Sequence, residues 1–231
     1  MRSDQVAVRP GATVLVVRDA PGPPCGVEVL LLRRTPDAVF LPGAHCFPGG
    51  RVEESDGDDP ARGAALREAF EEAGLLLGQG RIDPGFDAEP WRAKVYAGEA
   101  TLADAAAAAG LELDPSSLRF LARWVTPPGG PRRFDARFFV APAPADQEPA
   151  CDGTELVECD WWRPSRALAA NAAGEILVIQ PTEQSLRVLD RFPSTAALLA
   201  ALDAADPDDR VDEAIDSWRV RLPFDQPAVR A

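Results

Sequence analysis

The 231 residues include 37 acidic and 24 basic side chains, for a net charge of −13, and 46% of the chain is hydrophobic. So acidic a surface repels DNA, RNA and anionic membrane, and argues against nonspecific binding to any of them. No apolar run approaches the roughly 20 residues that span a bilayer, and a single histidine with no C-x-x-C pair argues against a structural zinc site.

Residues 11–18 (GATVLVVR) and 27–34 (VEVLLLRR) are rich in Val and Leu and predict two strands joined by the Pro/Gly-rich segment DAPGPPCG. A loop-like stretch follows. Residues 60–77 then predict a helix, because Leu66, Phe70, Ala73 and Leu77 recur at the helical period. Asp59 is placed to cap it, Pro60 suits its first position, and Gly78 is placed to end it. Residues 89–110 predict one or two further helices closing in the alanine run 105–109. Strands resume at 118–127 and 132–141, separated by the turn PGGP, and 154–162 alternates as a further strand. Helices are expected at 165–172, 182–190 and 194–204; after them come an acidic tail at 206–216 and an edge strand in VRLPF, 220–224. This interleaving favours a single mixed α/β domain over residues 1–231, with a helical insert at about 89–110. The first ten residues, MRSDQVAVRP, carry no apolar secretory segment, so a cytoplasmic protein with its four cysteines reduced is expected.

The block to explain is Arg67-Glu68-Ala69-Phe70-Glu71-Glu72-Ala73-Gly74. On a helix Glu68, Glu71 and Glu72 fall at i, i+3 and i+4 and share one face, where like charges repel by a few tenths of a kcal/mol per pair. A hard divalent cation removes that repulsion; Mg²⁺ suits a few carboxylates together with substrate phosphates and water. Taken alone, three such glutamates are more often a solvated face. The context changes the reading, because Phe47-Pro48-Gly49-Gly50 lies upstream and lets backbone approach a ligand closely.

The combination resembles the Nudix box, G-x5-E-x7-R-E-U-x-E-E-x-G-U, where U is a bulky aliphatic. Gly50 stands at the first glycine, and Arg67, Glu68, Glu71, Glu72, Gly74 and Leu75 match the second half, with Ala69 at an aliphatic position. Counting back from Arg67 puts Asp59 at the first glutamate, with eight residues between it and Gly50 instead of five, which implies a three-residue insertion there. Asp59 as a simple helix cap is the alternative. The resemblance implies a Nudix α/β/α sandwich, with a mixed sheet, the box as loop–helix–loop, and extra helices after the box and at the C-terminus. It implies metal-dependent hydrolysis of a nucleoside diphosphate linked to another group. Glu68, Glu71 and Glu72 would hold Mg²⁺ or Mn²⁺, and Gly50 would offer its carbonyl. Arg67 would orient the glutamates, with Arg67, Glu68 and Glu71 as the catalytic set. A base would come from the box or from a separate loop, where Glu155 and Glu158 are candidates.

Arg123-Trp124-Val125-Thr126-Pro127 and Pro131-Arg132-Arg133-Phe134-Asp135-Ala136-Arg137-Phe138-Phe139, with the lengthened box and the loop before it, look like the acyl-CoA diphosphatase branch. That branch implies CoA or acyl-CoA as substrate and 3′,5′-ADP and a 4′-phosphopantetheine as products. Arg51, Arg132 and Arg133 are the candidate phosphate-binding guanidiniums. His45 reads as a packing or hydrogen-bonding residue, and Trp124, Trp161 and Trp162 as core residues or adenine-stacking rings. A nucleotide sugar, a dinucleoside polyphosphate or an oxidised nucleotide is the alternative substrate, and a non-catalytic Nudix-like nucleotide sensor the alternative class. An acidic calcium-binding protein is disfavoured because no D-x-D-x-D-G loop of EF-hand length is present. The partner is a small nucleotide rather than nucleic acid or membrane, and a homodimer is left open.

Overall fold

Valine and leucine at both parities make β1 (Val8–Asp19) and β2 (Val27–Arg34) strands that bury both faces, and Val14, Leu15, Val16 and Val17 are all fully enclosed. The computed structural model describes residues 6–127 and 132–205. Short strands β3 (Ala44–Cys46) and β4 (Gly49–Arg51) follow, then helix α1 (Pro60–Ala73). A two-residue strand β5 (Gly78–Gln79) leads into α2 (Ala88–Tyr96) and α3 (Leu102–Ala108), and β6 (Glu112–Leu113) pairs back on β5. The remainder runs β7 (Arg119–Val125), β8 (Arg133–Pro142), β9 (Leu156–Trp162), α4 (Pro164–Ala172), β10 (Leu177–Val178), α5 (Gln180–Leu189) and α6 (Thr195–Ala204).

The main sheet is mixed, in the order β10-β3-β2-β1-β8-β7, with β9 paired on β2 and β4 on β1. β1 runs parallel to β8 over ten residue pairs but changes partners along its other edge: residues 17–19 pair with β2 and residues 11–13 with β4. The sheet therefore parts beside the middle of β1, and the Phe47–Pro48 link carries the chain across the opening. One face packs Val14, Val16, Leu30 and Leu32 against Ala64, Ala65, Leu66 and Ala69 of α1. The other packs Val17, Val29 and Leu31 against Leu186 of α5 and Leu198 of α6. These three layers form the α/β/α sandwich that the resemblance implies. Phe70 and Leu76 instead join Ala105, Ala106 and Ala109, which attaches the helices after the box.

Helix α1 stops earlier than its apolar period suggests. Gly74, not Gly78, turns the chain, with φ +69° and its N–H donating to the Phe70 carbonyl. Leu75 and Leu77 stay buried beyond the helix, so burial prolonged the pattern after the helical hydrogen bonds had ended. The PGGP turn and the tail, with its expected edge strand, lie outside the described residues.

Candidate active site

Arg67 organises the site. Its Nε donates to Asp56 Oδ1 at 2.8 Å, and its two terminal nitrogens donate to Glu68 Oε1 at 2.9 Å, Glu71 Oε2 at 2.8 Å and the Arg51 carbonyl at 2.8 Å. One guanidinium thus ties α1 to the loop entering it. Burial works against its charge, but the Asp56 hydrogen bond and the neighbouring Glu68 and Glu71 outweigh that and raise its pKa.

Asp56 is the residue that the backward count missed. Its side chain is only 1% exposed, and it is reached by counting forward from Gly50 with the ordinary five residues between. The extra three residues therefore sit between Asp56 and Arg67, where they form the turn into the helix. Asp59 instead caps α1: it accepts from the Arg62 backbone N–H at 3.3 Å and pairs with the Arg62 guanidinium at 2.7 Å. The register expected for Asp59 is corrected accordingly.

Glu68 and Glu72 turn toward β4. Gly49 N–H donates to Glu72 Oε2 at 2.9 Å. A Cβ built on Gly50 would overlap the Glu68 carboxylate, so glycine is required for that approach. Gly50 is the register partner of Ala12 in β1, and its oxygen lies 2.9 Å from a Cβ built on Gly11. Burial pushes Glu68, only 9% exposed, up to about 7 against the pull of Arg67, and Glu71 adds to the rise. Glu72 is raised well above the usual range by burial and then by Glu68, and Glu71 is raised by burial.

Two carboxylates driven upward by burial and by neighbouring carboxylates, one of them packed directly on Gly50, fit a divalent cation with hard oxygen ligands. Among the described residues no three His, Cys, Asp or Glu side chains converge as a ready-made metal cage. A Mg²⁺ site does not need one, because that ion takes one or two carboxylates and completes its shell with water and phosphate.

A pH dependence follows. A carboxylate with a raised pKa in the fold binds its proton more tightly folded than unfolded, so stability falls as pH rises from the unfolded value near 4.5 to about 7 for Glu68. The metal-free protein is expected to lose melting temperature across that window, and the Glu68→Gln protein to lose less. Mg²⁺ should raise the melting temperature more at pH 8 than at pH 5.5. A thermal melt series with and without Mg²⁺ checks this; a metal effect independent of pH would contradict it.

The two candidates for an outside base separate. Glu155 pairs with Arg34 at 2.7 Å, and its charge acts on both Glu72 and Cys46, so it lies on the Glu72 side. Glu158 pairs with Arg33 and its charge acts on His45, on the other face. Arg51 is exposed, and its side chain has no hydrogen bond among the described residues. Arg132 is exposed, and Arg133 Nε donates to the Thr126 carbonyl at 3.0 Å. Register places Arg133 opposite Val8, three residues along β1 from Gly11, the partner of Arg51. Trp124 is core, and the Trp161 ring lies under the Arg18 guanidinium at 4.2 Å.

The expectation of four reduced thiols is corrected for two of them: Cys151 and Cys159 form a disulfide, their Cα atoms 5.6 Å apart, while Cys25 and Cys46 are free. Their spacing of eight hid a loop that folds back on β9 and carries Glu155 between them. Burial pushes the Cys46 thiol up to about 12, which keeps it inert.

The sequence pattern of the NUDIX domain matches residues 8–180. The chain is 26% identical to acyl-coenzyme A diphosphatase NUDT19 of Gallus gallus, with 80% of this chain and 69% of that protein covered. It is 28% identical to the Homo sapiens protein of the same name, with 77% and 64% covered. The matched region thus spans about two thirds of the length of these relatives. A crystal structure of a NUDIX hydrolase from Alicyclobacillus acidocaldarius matches with a TM-score of 0.74 at 32% identity, over 87% of this chain and 97% of that one. No helix among the described residues is long and apolar enough to cross a membrane.

Proposed function

The chain belongs to the NUDIX domain family and is a Nudix hydrolase, and from that premise we propose that it cleaves the pyrophosphate of CoA or acyl-CoA to 3′,5′-ADP and a 4′-phosphopantetheine. The observation that carries the chemistry is the buried Glu68–Glu72 pair beside Gly50. The similarity to the NUDT19 proteins supports the substrate.

Glu68 and Glu72 would hold Mg²⁺ or Mn²⁺, with the Gly50 carbonyl as a third donor and Glu71 in support. A bound cation would neutralise charge on the substrate's phosphates and activate water for attack. Arg67 fixes the rotamers of Glu68 and Glu71 and is itself anchored by Asp56. Glu155 accepts the proton of the attacking water; it stands near Glu72 yet outside the Arg67 cluster. A panel of CoA, ADP-ribose and diadenosine polyphosphates, each with Mg²⁺ and with Mn²⁺, tests the assignment. Fastest turnover of CoA supports it, and preference for either of the others moves the enzyme to another branch of the family.

A protein this acidic needs local guanidiniums to accept a nucleotide. Arg132 and Arg133 are proposed to supply them, because Arg133 enters β8 at the end of β1 where β4 pairs, and its parity in β8 matches that of Phe139 on the α1 face. Replacing both with Ala is expected to raise KM for CoA much more than it lowers kcat, since contacts remote from the scissile bond serve ground and transition states alike. Each lost charge-assisted contact should cost about 1.5–3 kcal/mol. Added salt should weaken native binding more than that of the double variant. An unchanged KM for CoA would remove these two residues from the site.

A further inference from the structure

On the α4–α5 face of the sheet a cavity of about 600 Å³ opens between β2, β9 and residues 171–177, within the range of roughly 300–1,000 Å³ typical of small-molecule sites. Its walls stand across the sheet from Glu68 and Glu72. Arg33 continues the alternation of Val27, Val29 and Leu31, which pack toward α5 and α6, and His45 and Glu158 are its register partners on the two flanking strands. The cavity nevertheless shares an end of the molecule with the carboxylates. Arg34 beside Arg33 pairs with Glu155, and Cys46 beside His45 feels the Glu72 charge.

The lining selects against phosphate. Arg33 is already neutralised by Glu158, and Glu175 has no ion pair among the described residues. What remains is hydrogen-bonding capacity around a partly apolar space with an aromatic side chain in its wall. His45 is 7% exposed, and its Nδ1 is buried without a hydrogen-bond partner, a condition that native structures seldom leave unmet. Burial lowers its pKa, so the ring is held neutral. Asn171 Oδ1 accepts from the Val178 N–H at 3.1 Å, which leaves the Asn171 NH₂ group as a donor. Trp162 supplies an aromatic wall, backed by the Arg166 guanidinium at 4.9 Å and met edge-on by His45 at 5.9 Å.

We propose that this cavity binds a neutral heteroaromatic ring bearing an exocyclic amine, the class to which adenine belongs, and that it seats the base of the substrate's nucleotide; the second half rests on the function argued above. The amine donates to the free Glu175 carboxylate, and a ring nitrogen accepts from Asn171. A keto oxygen at the amine's position, as in hypoxanthine, would meet Glu175 acceptor to acceptor.

Titrating the full-length, metal-free protein with adenosine and with inosine, followed by calorimetry and tryptophan fluorescence, tests this without hydrolysis. Adenosine is expected to bind and inosine to bind at least about tenfold more weakly, the size of one lost charge-assisted contact. Glu175 is exposed, so Glu175→Gln should fold normally and narrow or reverse that ratio, because an amide can donate to a keto oxygen. Trp162→Leu should weaken both ligands, and a thermal melt establishes that it is folded. Equal affinities, a ratio unchanged by Glu175→Gln, or no adenosine binding would overturn the proposal. Failure here with CoA still cleaved would leave the hydrolase reading intact. Adenosine selectivity in a protein that cleaves none of the pyrophosphates would instead sink the proposed substrate and keep the site.

Discussion

Glu72→Gln is expected to lower kcat on the best substrate by two to three orders of magnitude, about 3–4 kcal/mol of barrier, with the fold intact. The substitution keeps shape and removes charge. Glu72 touches the Gly49 N–H through one oxygen and shares its surroundings with Glu68, so its charge is costly to the metal-free fold and useful only when a cation offsets it. The variant should therefore melt at the same temperature as the native protein or higher without metal, and should gain less from Mg²⁺. Near-native turnover by Glu72→Gln would remove Glu72 from the metal site.

The second large effect separates two aspartates three residues apart. Asp56→Ala leaves the buried Arg67 without its Nε partner and is expected to cost about 3 kcal/mol, the scale for breaking a buried ion pair from one side. The rate should fall as well, because Arg67 positions Glu68 and Glu71. Asp59→Asn and Asp59→Ser should change stability by only a few tenths of a kcal/mol, since both residues cap helices well, and should leave turnover near native. Chemical denaturation with parallel kinetics decides. An Asp59→Asn protein crippled in rate beside a healthy Asp56→Ala would restore the register counted back from Arg67.

These two aspartates also mark where the sequence was legible and where it was not. The second half of the box is read by helical geometry alone: Arg67, Glu68, Glu71 and Glu72 lie within six residues, and the i, i+3, i+4 rule places the glutamates together. The first half runs through a loop, where spacing does not fix position, and the insertion could be assigned to either side of the acidic residue. Counting forward from Gly50 finds Asp56; counting back from Arg67 finds the cap. The long apolar strands β1, β2, β7 and β8 were visible as runs, whereas β3, β4 and β10 have three residues or fewer and depend on their neighbours. The apolar period runs past the end of α1 because Leu75 and Leu77 are buried for reasons unrelated to helix. Sequence spacing alone does not distinguish Glu155 from Glu158 as the base. Glu155 stands just before β9 and pairs with Arg34, whereas Glu158 lies within β9 opposite Arg33, and neighbouring residues of β2 point to opposite faces of the sheet. Cys151 and Cys159 showed no spacing signature, and only the fold of their loop brings them together.

Hydrolysis of the CoA pyrophosphate at the Glu68–Glu72 site is decided by identifying the products. Incubation of the purified protein with CoA and Mg²⁺, analysed by mass spectrometry, is expected to yield 3′,5′-ADP and 4′-phosphopantetheine in equal amounts. Both products should be abolished by chelation and nearly abolished in Glu72→Gln. No cleavage of CoA, or release of inorganic phosphate with dephospho-CoA in place of that pair, would contradict it.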